Sequence, residues 1–254
     1  MQDNQKTLGI IAGNGMMPVE AIRYCTKNNI PIFVVGLEAF CIAEEIAKSP
    51  HTFIKIGEMG KMFKAFSDNN VKEIIFAGGI ERPSFKELIP DWEGMKIVAK
   101  LTMNKKRDDN LFRTLITEIE NRGFKIIGIQ EVISEMLFQE NIYTKVKPNK
   151  DDFNDIERGW DVAKAIGSVD VGQAVVVQDG LVLAMEAIEG TDLMLSRAAT
   201  LRKGKKKLIM VKVLKPGQDM RVDLPAIGLQ TIEQLIKYDI AGIVVEAGGS
   251  KKML

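Results

Sequence analysis

The residues of this chain that could do chemistry are carboxylates, lysines and glycine-framed backbone, gathered in five segments. The densest opens at Asp170-Val171-Gly172-Gln173 and returns through Glu186-Ala187-Ile188-Glu189-Gly190-Thr191-Asp192. Acids this close cost stability unless they are solvated, paired or bound to a cation. With Thr191 as a helix N-cap, Gly190 and the first free N–H groups would face an anion. Capping accounts for Asp192 but not for the whole set. The next segment, Lys212-Val213-Leu214-Lys215-Pro216-Gly217-Gln218-Asp219-Met220-Arg221-Val222-Asp223-Leu224-Pro225, reads as a long loop mixing cations with aspartates. Hydrolysing a diphosphate needs cations against phosphoryl charge, and carboxylates to hold a hard metal and orient water. This loop supplies both, although a solvated surface loop carries a similar mix.

The other three segments lie in the first half. Ile10-Ile11-Ala12-Gly13-Asn14-Gly15-Met16-Met17-Pro18 reads as strand, glycine turn and helix start. Gly13, Asn14 and Gly15 would let a nucleotide phosphate or ribose approach the backbone and the helix N-terminus. Pro18 suits a first helical turn. It also stands where the third glycine of a dinucleotide fingerprint belongs, so that fingerprint is incomplete. Glu38 sits where a ribose-binding acid would, and a plain tight turn is the alternative. Ala77-Gly78-Gly79-Ile80-Glu81-Arg82-Pro83 again follows an apolar run, where open α/β sheets bind ligands. Arg82 suits a phosphate, or it is a solvated arginine beyond a Gly-Gly turn. Lys105-Lys106-Arg107-Asp108-Asp109-Asn110 precedes a helical stretch, which Asp108 or Asp109 would cap; Asp109 could instead touch a ribose or a metal.

Composition narrows the chemistry further. Lys plus Arg number 35 against 34 for Asp plus Glu, a net charge of +1, so the chain carries no nucleic-acid footprint. His51 is the only histidine, and Cys25 and Cys41 are the only cysteines, too few for a disulfide framework or a zinc site. Both cysteines read as small core residues of a reducing compartment. Carboxylates, lysines and a hard metal are left to do any catalysis. The start of the chain shows no secretory signal, and no apolar run approaches the ~18 residues of a membrane span. The expectation is a cytoplasmic protein.

The elements that must position these segments show in the hydrophobic pattern. Leu8–Ala12, Ile32–Val35, Phe53–Ile56, Ile74–Ala77 and Lys125–Ile129 read as strands buried on both faces. Between them Val19–Lys27, Met59–Ser67 and Leu111–Glu120 carry helical spacing, which predicts a doubly wound parallel sheet. The polar stretch 139–150 reads as a linker between one domain over 1–138 and another over 151–254. The second half predicts a helix over 151–166 and a hairpin of Gln173–Gln178 and Leu181–Ala187 across Asp179-Gly180. A helix after Thr191, a strand at Leu208–Val213, a long loop to Gly228, a helix and a strand at Gly242–Glu246 follow. This half is a mixed α/β domain.

Taken in order, Gly9-Ile10-Ile11-Ala12-Gly13-Asn14-Gly15 with Pro18, Gly57-Glu58-Met59-Gly60-Lys61, Phe76-Ala77-Gly78, Arg82-Pro83 and Asp108-Asp109 carry a resemblance across the first half. Asp170 to Gln178, Glu186 to Asp192, Lys215 to Asp219, and Arg221 to Pro225 with Ile227-Gly228 continue it. The set resembles the LpxI-type UDP-2,3-diacylglucosamine pyrophosphatases over nearly the whole chain. The resemblance implies a Rossmann-like N-terminal domain that binds the UDP-lipid and a C-terminal hydrolase domain. It implies magnesium-dependent attack of water (with manganese as the other candidate) on the sugar-side phosphate. The products would be UMP and 2,3-diacylglucosamine 1-phosphate, lipid X of lipid A biosynthesis. By the resemblance Asp223 is the catalytic, metal-holding aspartate.

Asp192 and Lys215 join Asp223 as candidate catalytic residues. Gly13, Asn14, Gly15, Gly78, Arg82, Asp109, Gln173, Gly190, Thr191 and Lys212 are the candidate substrate contacts. The acylated substrate implies transient docking at the inner-membrane surface, and a homodimer is the base-rate assembly. Two departures stand out: Arg107 replaces a family glycine before the Asp-Asp pair, and the chain stops at Leu254, which predicts a shortened hydrolase domain. Two other function classes remain open on the residues alone, an NAD(P)-dependent oxidoreductase and a non-catalytic nucleotide-sugar-binding protein.

Overall fold

The computed structural model describes residues 6–80, 90–103, 109–134, 140–217, 219–222 and 227–247. The chain divides into two compact units, Met1–Ser134 and Glu135–Leu254.

In the first unit, β1 (Thr7–Ala12), β2 (Ile32–Leu37), β3 (His51–Ile54), β4 (Val71–Ala77) and β5 (Lys125–Ile126) form one parallel sheet in the order β3-β2-β1-β4-β5. Helices α1 (Met17–Lys27), α2 (Ala43–Ile46), α3 (Met59–Asp68), α4 (Trp92–Met103), α5 (Asp109–Asn121) and α6 (Ile129–Val132) connect or follow the strands. The interior residues of β1, β2 and β4 are almost all buried, as a sheet covered on both faces requires. Helix α1 turns Val19, Ala21, Ile22 and Cys25 inward, and α3 turns in Met62, Phe63 and Phe66. The order reverses between β1 and β4, so their carboxyl ends diverge into a crevice.

Three expectations for this unit change. Strand β3 begins earlier than Phe53 and is only half-buried, because it is the sheet edge with one neighbour. Strand β5 stops at Ile126, since the Glu131 carboxylate accepts the Gly128 N–H at 2.8 Å and starts α6 at Ile129. Cys25 is fully buried and its thiol is pushed up to about 11 by desolvation, whereas Cys41 is only half-buried and not a core residue.

The second unit opens with α7 (Lys150–Ser168), capped by the Asn149 side chain, which accepts from the N–H groups of Asp151 and Asp152. Strands β6 (Ala174–Gln178), β7 (Leu181–Met185), β8 (Ile209–Lys212) and β9 (Gly242–Val245) form a mixed sheet in the order β7-β6-β8-β9. The β6–β7 and β6–β8 pairs are antiparallel, and β8–β9 is parallel. Asp179 and Gly180 at φ 54° and 74° make the tight hairpin turn, and buried Asp155 of α7 accepts both of their N–H groups.

Successive strand residues point to opposite faces and so divide the core. Val175, Val177, Val211 and Val244 pack with Ile156, Ala163 and Trp160 of α7. Ala174, Val176, Ala184 and Met210 pack with Met194, Leu195 and Ala198 of α8 (Gly190–Thr200) and Leu235 of α9 (Leu229–Lys237). Among the described residues no helix is long and apolar enough to cross a membrane.

Candidate active site

In the first unit Gly13, Asn14, Gly15 and Gly78 meet at the β1–β4 strand ends. After β1 the Gly13 N–H donates to Ala77 O at 2.8 Å, and the Asn14 N–H donates to Gly79 O at 2.7 Å. The two glycine loops therefore touch backbone to backbone. A Cβ on Gly13 would lie 2.4 Å from Gly79 O, and one on Gly78 would lie 2.2 Å from Asn14 O. Gly15 and Gly78 both have φ of 84°, in the left-handed region that glycine enters without strain. The Asn14 side chain accepts the Gly15 N–H at 2.8 Å, which closes the loop just ahead of α1. Gly13, Asn14, Gly15 and Gly78 thus share one strand-end feature made of main chain. Asp109 begins α5. Arg82 and Asp108 lie outside the described residues.

The Gly57-Glu58-Met59-Gly60-Lys61 segment leads into α3. Asp91 accepts the Gly60 and Lys61 N–H groups at 2.6 and 3.2 Å, and the Gly94 N–H at 2.8 Å. The sequence reading missed this contact, which gives the start of α3 an anion from within the chain.

In the second unit the charged candidates gather where β7, β8 and β9 end. Lys212 is the last residue of β8 and 7% exposed, within the strand expected over Leu208–Val213 and at the head of the charged loop. Its neighbours on β8 alternate faces, which puts Lys212 on the α8 side with Leu208 and Met210. Glu186, directly after β7, is 8% exposed. Its carboxylate accepts the Gln173 N–H at 3.1 Å and the Thr191 hydroxyl at 2.5 Å, and Lys212 Nζ lies 3.5 Å from that hydroxyl oxygen. Thr191 is not the N-cap: α8 starts at Gly190, whose φ of 78° makes the entry turn, and Glu189 occupies the cap position without a side-chain capping bond. Thr191 spends its hydroxyl on Glu186 instead.

The three acids of this segment do not form one cluster. Glu189 pairs with Arg197 at 2.5 Å, and a hydrogen bond from its own backbone amide, then one from Arg197, holds its carboxyl below the usual range. Asp192 accepts from Gln230 of α9 at 3.0 Å. Beyond β8, Lys215 pairs with Asp170 at 2.7 Å, and Arg221 folds back on Asp219 at 2.7 Å. Among the described residues no three His, Cys, Asp or Glu side chains gather in a way that could hold a metal ion. Asp223 lies outside the described residues.

On the opposite face of the same sheet end, Glu246 follows β9. Its carboxylate accepts from Lys164 of α7 at 2.5 Å and from the Leu214 N–H at 2.7 Å. Lys164 also donates to Leu214 O at 2.9 Å. This ion pair satisfies both backbone groups of the second residue after β8, so it sets the direction in which the loop leaves the sheet. Neither residue was in the candidate set. A signal for Glu246 was available, since Glu186, Lys212 and Glu246 each sit at the end of an apolar strand run.

The arrangement offers a main-chain crevice able to take phosphate or ribose in one unit. In the other it offers buried charges and a helix N-terminus suited to a phosphoryl group. Comparison with known proteins covers both halves of the chain. Residues 7–136 match the LpxI N-terminal domain and residues 139–251 match the LpxI C-terminal domain. The UDP-2,3-diacylglucosamine pyrophosphatase LpxI of Caulobacter vibrioides (strain ATCC 19089 / CIP 103742 / CB 15) is 40% identical over 250 residues, covering 96% of this chain and 89% of the relative. The two domain matches, in order along the chain, and this relative at such coverage place the chain in the LpxI family.

Proposed function

We propose that this protein hydrolyses UDP-2,3-diacylglucosamine to UMP and 2,3-diacylglucosamine 1-phosphate. The observation that carries this is the 40% identity to a pyrophosphatase of that substrate, sustained through both domains. The first unit, read as Rossmann-like from its β3-β2-β1-β4-β5 order and its glycine crevice, holds the nucleotide end. The second unit, read as the hydrolase domain, brings Lys212, Lys215 and the first turn of α8 to the diphosphate, with Asp192 and Asp223 as its acids. Water attacks the phosphorus on the sugar side.

Magnesium belongs to this reading, with manganese as a substitute. Glu186, Glu189, Asp192 and Asp219 each have a partner within the chain, so they offer no ready-made cage. Such a site suits magnesium, which keeps several waters and takes one or two carboxylates together with substrate phosphates. Asp223 would hold it. The bound ion supplies positive charge to the phosphoryl oxygens and lowers the pKa of a water. Lys212 and the α8 N–H groups would orient a substrate phosphate.

On this reading the protein works in the cytoplasm, docks transiently on the inner membrane to reach its acylated substrate, and forms a homodimer. The test is UMP release from UDP-2,3-diacylglucosamine in heavy-oxygen water, with magnesium and with EDTA. Metal-dependent UMP with the label on the sugar phosphate is the expected result. Label on UMP would move the attack to the other phosphorus, EDTA-resistant release would remove the metal, and binding without UMP would sink the hydrolase.

A further inference from the structure

We infer that Glu186 is a positioning residue for this reaction, acting through Thr191 on Lys212; the inference rests on the hydrolase reading above. The argument turns on one proton. A carboxylate only accepts hydrogen bonds, an ammonium only donates them, and a hydroxyl has one proton to give. The Thr191 oxygen lies 2.5 Å from Glu186 Oε1 and 3.5 Å from Lys212 Nζ. Its proton therefore goes to Glu186 and its lone pairs face Lys212. A hydrogen bond to a charged acceptor polarises the hydroxyl and strengthens its pull on the ammonium. The second contact is long for a hydrogen bond, so that pull is mainly electrostatic.

Glu186 is itself held in place. Its N–H donates to Ala174 O at 2.8 Å, its other carboxylate oxygen accepts the Gln173 N–H, and Gly172 packs so closely that a Cβ there would lie 2.1 Å from Glu186 O. Strand β8 fixes the base of Lys212, and the relay biases the tip of its flexible four-carbon stem. Thr191 has no proton left for a phosphate oxygen. It serves the substrate through Lys212, and the direct donors are Lys212 and the backbone N–H groups at the start of α8.

Replacing Glu186 with Gln puts an NH2 donor where one acceptor oxygen was, so Thr191 is free to turn its proton toward Lys212. Kinetics of UMP release from UDP-2,3-diacylglucosamine test the relay in Glu186→Gln, Thr191→Val, Thr191→Ser and the Glu186→Gln/Thr191→Val double variant. The two non-conservative variants should each lower kcat roughly ten- to hundredfold, the scale of a misplaced reacting group, with KM nearly unchanged. Thr191→Ser, which restores the hydroxyl, should recover most of the rate lost in Thr191→Val, and the double variant should be no slower than its slower parent single.

A readout independent of turnover is the Lys212 ammonium signal in 15N-lysine spectra, assigned by its loss in Lys212→Arg. It should move in Glu186→Gln and Thr191→Val and stay in Thr191→Ser. Parent-like kcat in Glu186→Gln, multiplied losses in the double variant, or an unmoved signal would each overturn the inference. Should Glu186→Gln fail to fold, the Thr191→Val and Thr191→Ser pair decides it, since valine keeps the shape of this half-buried residue. Should the parent release no UMP, the hydrolase reading fails, and the Lys212 signal alone then supports or overturns the relay.

Discussion

The two sheets end in different materials. In the first unit the strand ends at β1 and β4 are finished in main chain: the Gly13 and Asn14 N–H groups donate to Ala77 O and Gly79 O, and a Cβ at Gly13 or Gly78 would run into backbone oxygen. In the second unit the ends of β7, β8 and β9 are finished in buried charge, with Glu186 and Lys212 toward α8 and Glu246 with Lys164 toward α7. A main-chain end can present N–H groups and space but cannot change protonation, which suits holding a nucleotide. A charged end is costly to bury and must be paired through specific geometry, which suits moving charge during bond cleavage. On the proposed reading, binding belongs to one edge and chemistry to the other.

The sharpest way to break that assignment is Asp223→Ala. It should abolish UMP release, a loss on the order of 10³-fold or more, while substrate binding measured by calorimetry persists. Parent-like turnover would remove Asp223 from the chemistry. Next, Lys164→Met leaves Glu246 buried without its cation and should cost about 3 kcal/mol of stability, read from urea midpoints. A neutral result would mean that water replaces the ammonium and that Leu214 needs no clamp.

On the main-chain edge, Gly78→Ala meets Asn14 O and a left-handed φ together, and should cost about 2 kcal/mol and weaken UMP binding. Gly15→Ala is the control that sharpens it. Its Cβ would meet no atom within 4 Å, so only the φ of 84° is penalised, about 1 kcal/mol. Equal effects at Gly15 and Gly78 would show that conformation, not close approach, governs this edge.

The smallest effect is electrostatic. Glu189 titrates below the ordinary glutamate range, so its contribution to stability is present above that range and lost as pH falls through the lowered value. Carboxyl NMR titration should show this, and Arg197→Met should bring the Glu189 value part of the way back up.

Much of this molecule follows from sequence by itself. Ile and Val runs at β1, β2 and β4 with helical stripes between them dictate a parallel sheet, because both faces of such strands must be covered. Asp179-Gly180 dictates the hairpin, because both residues take positive φ there. The order of the glycine and charged motifs carries the family. Short or edge elements were less legible. Strand β3 has one neighbour and β5 only two residues, so neither leaves a strong period in the sequence.

Pairing was decided by tertiary structure. Glu186, Glu189 and Asp192 lie within seven positions of one another, yet the fold gives them Thr191, Arg197 and Gln230 respectively. Lys212 falls in the strand run expected over Leu208–Val213, but its pairing with Ala174 and Val245 at the buried end of β8 is set by the sheet. Lys164 and Glu246 are far apart in the chain and meet only because α7 packs against the sheet along β6 and β8. Local sequence sets the period of an element and which face it buries. Which charge meets which depends on contacts between distant segments, and only the packed fold provides them.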